Sequence, residues 1–95
     1  MKYRVPITDY DTALNAANLC LLNLDVIRDS SEPRTRECAL TTARRQYATV
    51  RRYALDVQGW CRRCGLECDS SIIRTAMELR LNLLAARRRI AEDLN

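Results

Sequence analysis

Cysteines 61, 64 and 68 fall within eight residues in the stretch WCRRCGLECDSS. Thiols this close could do one of two kinds of chemistry. Thiolates bind zinc, and Cys61-x-x-Cys64-x-x-x-Cys68 gathers three of them near one turn. A Cys-x-x-Cys pair can also cycle between dithiol and disulfide. Neither reading is complete in this sequence. A structural zinc site takes four ligands, and the chain has no histidine. In an antiparallel hairpin Cys38 falls at the opposite end of the second helix and Cys20 near the middle of the bundle, so the fourth ligand would have to be Asp9, Asp11, Glu67, Asp69 or a second chain's residue. A redox dithiol needs a low-pKa sulfur at a helix N-terminus, whereas Cys61 and Cys64 close a helical pattern, where the dipole disfavours thiolate. Arg62 and Arg63 offset this only in part. The expectation is that Cys61 and Cys64 serve as small apolar side chains ending a helical seam. Zinc on Cys61, Cys64 and Cys68 is the alternative, and no other cofactor is expected.

The arginines form a second pattern. Fifteen of them stand against one lysine, Lys2. GC-rich coding gives such a bias, as does selection for bidentate contacts to carboxylate or phosphate. Arg-Arg occurs at 44–45, 51–52 and 62–63. At about 100° per residue, Arg51 falls about 20° behind Arg44 and Arg62 about 20° ahead of Arg51. Arg44, Arg45, Arg51, Arg52, Arg62 and Arg63 therefore share one broad face over about 27 Å of helix. Asp56, the one acidic residue between Arg44 and Arg63, lies about 140° from Arg51. Arg87, Arg88 and Arg89 add a cluster near the C-terminal end. Such a stripe suits a polyanion, either an acidic protein surface or a phosphate backbone. The plainer alternative is a solvated face neutralised by Asp25 and Asp29 or by Glu78 and Glu92.

The elements that position these residues are helical. The chain is rich in alanine, leucine and arginine, with two glycines in 95 residues. Ser30, Ser31 and Pro33 mark one stop and start; Gly65, followed by Asp69 or Ser70 as a cap, marks the next. Thr8 or Asp9 can cap the first helix. The sequence thus predicts helices near 9–29, 33–64 and 70–94 in a single domain, with residues 1–7 as an extended arm. Leu40, Ala43, Tyr47, Val50, Ala54, Val57, Cys61 and Cys64 follow alternating steps of three and four, a coiled-coil seam. Leu14, Ala17, Leu21 and Leu24 supply the same steps in the first helix, and Ile72, Ala76, Leu79, Leu83, Ala86 and Ile90 in the third. Short loops between long helices make neighbours antiparallel. The expected fold is all-α: an antiparallel three-helix bundle, or long helical hairpin, with coiled-coil-like seams. Leu19, Leu22 and Val26, with Ile73, Met77 and Leu84, widen the apolar faces beyond one small bundle's needs, which points to a homodimer or a partner's helix.

Function is bounded mostly by exclusion. No run of 18 apolar residues and no signal-peptide core exist, so a cytoplasmic chain with reduced cysteines and no membrane partner is expected. P-loop, Rossmann glycines, nucleophile elbow and HExxH are all missing, and a Cys-His pair is impossible without histidine. An enzyme is not expected. Zinc-finger, helix-turn-helix and base-stacking signatures are missing too, and a net charge of +4 is low for a nucleic-acid binder. The leading expectation is a small non-enzymatic protein-binding module that uses the arginine face. By size and composition it fits phage or mobile-element accessory proteins that inhibit a host enzyme, nucleic-acid-handling protein or defence complex. Sequence-nonspecific nucleic-acid binding through the stripe is the alternative, and a self-assembling helical module is the third reading.

Overall fold

The structure, a computed structural model, describes residues 10–65 and 71–93. Three helices account for nearly all of them: α1 (Tyr10–Asp29), α2 (Pro33–Cys64) and α3 (Ser71–Asp93). The expected arm at 1–7, the caps Thr8, Asp9, Asp69 and Ser70, and Cys68 lie outside the described residues. Pro33 opens α2 where its missing N–H breaks no bond. The residue before it, Glu32, is extended, and its carboxylate accepts a 2.9 Å bond from the Thr35 hydroxyl instead of capping a backbone N–H. Gly65 ends α2 as expected, at φ 67° and ψ 24°, a left-handed cap that glycine takes without a Cβ clash.

The helices run antiparallel. Tyr10, at the start of α1, meets Tyr53 in the second half of α2, ring to ring at 6.1 Å. Ile27, near the end of α1, packs with Ala39 of early α2 and Ala86 of late α3. The molecule measures 51 × 20 × 18 Å, with α2 as its long spine. One core cluster draws on all three helices: Ala13, Ala16, Ala17 and Cys20 of α1, Ala43, Val50 and Ala54 of α2, and Ile72, Ala76, Leu79 and Leu83 of α3.

The expected seams are met unequally. In α3 every expected position is buried except Ile90, which is half-buried. In α2 the pattern holds through Ala43, Val50, Ala54 and Cys61, while Tyr47 and Val57 are half-buried and Cys64 is exposed. The α1 expectation is corrected. Its buried face is Ala13, Ala16, Ala17, Cys20 and Ile27, turned roughly 75° from the expected Leu14–Ala17–Leu21–Leu24 seam, and Leu14 and Leu21 are exposed. The physical reason is size. Alanine and cysteine let the α1 and α2 backbones approach closely along their length, which a leucine seam would hold apart.

Arg36 ties the ends together. Its side chain is buried, with only 6% of the residue exposed, in the first turn of α2. Nε donates to the Ile27 carbonyl at the end of α1 at 3.2 Å, and Nη1 pairs with Asp93 at the end of α3. One guanidinium thus satisfies a carbonyl that the end of α1 leaves without an intrahelical partner, and meets a carboxylate on the third helix.

Candidate functional site

The six expected arginines are all exposed on α2, in two rows. Arg44 and Arg51 lie on the flank toward α3, with Arg62 at the same helical phase; Arg45, Arg52 and Arg63 start about 100° further round. The flank row opens onto a groove between α2 and α3, which Arg52 also reaches. One cavity in it, about 680 Å³, is lined by Tyr47, Ala48, Arg51, Arg52, Leu55 and Asp56 of α2 and by Arg80 of α3. The next, about 300 Å³, is lined by Arg44, Tyr47, Arg80, Leu83, Leu84 and Arg87. Tyr47 and Arg80 line both, so the two form one continuous trough.

The structure therefore brings together Arg44, Arg51 and Arg52 with Arg80 and Arg87. It leaves Arg45 outside the trough and carries Arg62 and Arg63 to the last turns of α2, beyond it. Arg80 was not legible as a site residue from its own helix, where it stands alone among apolar residues. Its signal is the seven-residue spacing to Arg87, which places both on one side of α3. The C-terminal cluster does not act as a unit, because successive residues point about 100° apart. Arg87 faces the α2–α3 trough, and Arg89 lines a separate cavity between α1 and α3 beside Leu21 and Asn82.

Charge in the trough is unbalanced. None of its five arginines makes an ion pair among the described residues, and Asp56 is the single acidic residue lining it. Of the carboxylates that were candidates for neutralising the stripe, Asp25 and Asp29 pair with Arg28 on their own helix, at 3.4 and 3.0 Å, and Glu78 and Glu92 line neither cavity. Apolar groups edge the same trough. Leu55 is 49% exposed and Leu84 47%. Tyr47, expected in the seam, turns out to form the floor: half-buried against the core, it also lines both cavities.

The cysteines do not converge on a site within the described residues. Cys61 is buried and Cys64 exposed at the end of α2, and Cys68 lies outside the described residues. No group of three His, Cys, Asp or Glu among the described residues is placed to hold a metal. Cys20 is wholly buried between α1 and its neighbours, and burial pushes its thiol up to about 11. The cavity at the clasped end, about 480 Å³, is lined by Arg28, Arg36 and Arg89, and Asp29 and Asp93 line it too; Arg28 and Arg36 already pair with carboxylates. No described helix is long and apolar enough to cross a membrane. No protein-family model, curated protein or solved structure matches the chain.

Proposed function

We propose that this chain is a non-enzymatic binding module that engages an acidic protein surface through the α2–α3 trough. The observation that carries the reading is the trough's five arginines against one carboxylate, edged by exposed leucines. Guanidinium forks recognise carboxylates bidentately, and apolar edges add area that a protein surface can cover. An inhibitor whose arginine face covered a host protein's nucleic-acid channel would meet like charge, because such channels are themselves basic. An acidic face of a host enzyme or complex is the version consistent with these charges. A cytoplasmic setting belongs to the same proposal.

Nucleic acid is the second reading, supported by the arginine row running about 27 Å from Arg44 to Arg62. A third surface supports self-association. Leu19, Leu22 and Val26 are exposed on the outer side of α1, and Asn23 turns its amide onto the Leu19 carbonyl at 2.8 Å. No charged residue interrupts that stripe, so two copies of a +4 chain can approach there with least repulsion.

The deciding experiment compares two variants with equal charge removed. Arg44, Arg51, Arg80 and Arg87 become alanine in one; Arg45, Arg63, Arg74 and Arg88 in the other. Fluorescence anisotropy with labelled polyglutamate and with a labelled 30-base-pair duplex reads both. The proposal expects polyglutamate binding to fall at least tenfold further in the trough variant than in the control. Equal losses would mean diffuse charge and no site. Tighter binding to the duplex, with log affinity falling against log salt at a slope of about −4 to −6, would make phosphate the ligand.

A further inference from the structure

Resting on that reading, we infer that the trough receives one acidic amphipathic helix of a partner protein, lying between α2 and α3 and completing a four-helix arrangement. The two walls of the trough are themselves antiparallel helices, so the space between them is a straight channel suited to a cylinder about 10 Å across. The arginines on both walls repeat at the heptad. Arg44 and Arg51 are seven residues apart on α2, and Arg80 and Arg87 seven apart on α3. Because the walls run in opposite directions, Arg44 and Arg87 line one cavity and Arg51 and Arg52 the other, with Arg80 reaching both. The result is a ladder of arginines whose positions on each wall repeat about every 10.5 Å, two helical turns. Among these arginines lie Tyr47 and the buried Leu83, and along the rims lie the exposed Leu55 and Leu84.

This is the pattern that charged flanks and an apolar seam make in a coiled coil. A helix seated here meets arginine on both sides every two turns and apolar groups beneath. Its complement carries leucine at the seam positions and glutamate on both flanks. A phosphate backbone answers the arginines but gives the exposed leucines no apolar partner. A second copy of this chain does not supply the complement. The free stripe of α1 is bordered by Asn15, Asn18 and Asn23, and its Asp25 and Asp29 are held by Arg28.

The test uses the whole chain and three labelled 21-residue peptides. The first has leucine at a and d and glutamate at e and g, a pattern whose own e–g repulsion keeps it from pairing at neutral pH. The second is its scrambled isomer, and the third is polyglutamate. The expected result is binding of the heptad peptide at least tenfold tighter than either control. Leu55→Asp with Leu84→Asp, both at exposed positions, should weaken it tenfold or more without loss of helicity. Arg44→Glu with Arg51→Glu should abolish binding, and a peptide with arginine on the flank facing α2 should restore it. Equal binding of heptad and scrambled peptides would overturn the helix inference and leave the acidic-surface reading standing. Binding of the 30-base-pair duplex with none of the peptides bound would overturn both.

Discussion

At the scale of single residues, Arg36 shows how one polar group can hold a fold that alanines alone hold weakly. Replacing it by methionine keeps the apolar stem but orphans the Ile27 carbonyl and frees Asp93. Arg36→Met should lower unfolding free energy by ~2–4 kcal/mol. Asp93→Asn, at a carboxylate more than half exposed, should cost under ~1 kcal/mol. Urea denaturation of the two variants checks this, and equal losses would place the stabilisation in the ion pair alone. Arg36 was within reach of the sequence, since it lies four residues before Leu40 on the same seam. An apolar pattern stops at an arginine, so periodicity could not say that this one is buried. Cys20 carries a pH dependence of known sign. Its folded pKa is raised from the ordinary 9.0 to about 11 because burial disfavours the thiolate. The buried neutral thiol's contribution is therefore fully present below pH 9 and is lost as pH rises toward 11. Between those limits the wild type should lose ~2–3 kcal/mol that Cys20→Ala does not. Chemical denaturation at pH 8 and pH 10.5 gives the comparison, and identical slopes would show that Cys20 does not titrate with unfolding.

Among the elements, α2 and α3 were legible because their apolar and small residues recur at one phase and their ends carry glycine, proline and serine signals. The two ends of α2 fall where the sequence puts them, at Pro33 and Cys64. α1 was harder. It offers two competing faces, leucines at one phase and alanine with cysteine at another, and a hydrophobicity pattern favours the larger side chains. Packing favours the smaller ones here, because two long helices gain more from close approach than from a few thick contacts. A pair of substitutions tests which face the fold uses. Ala16→Leu, inserted between α1 and its neighbours, should destabilise by ~1–3 kcal/mol or more, whereas Leu22→Ala on the outer face should change stability by under ~0.5 kcal/mol. Thermal unfolding of both variants would show the reverse order if the leucine face were the buried one. The trough was only half legible for a related reason. Its α2 wall stands out as repeated Arg-Arg pairs, but Arg80 and Tyr47 join it only once α3 is laid antiparallel beside α2.

The whole molecule presents two unlike surfaces: a basic trough between α2 and α3, and an uncharged apolar stripe on α1. If two copies meet through the stripe, sedimentation equilibrium should give twice the chain mass at micromolar concentration, and Leu19→Glu with Leu22→Glu should return it to one. A single mass for the wild type at every concentration would refute the dimer. The trough would remain open in such a dimer, so self-association and partner capture are separable by mutation. The clasp at Arg36 has a mechanical consequence for all of this. All three helices are pinned at the end where α1 stops, α2 starts and α3 stops, as in a bundle of rods tied at one end. Opening fluctuations should therefore start at the other end and travel toward the knot. Amide hydrogens around Ile27, Ala39 and Ala86 should exchange slowest, and those near Trp60 and Ile73 fastest among the helical positions. A partner helix would then enter the trough first beside Arg51 and Arg80, where the walls can spread, and lock last beside Arg44 and Arg87.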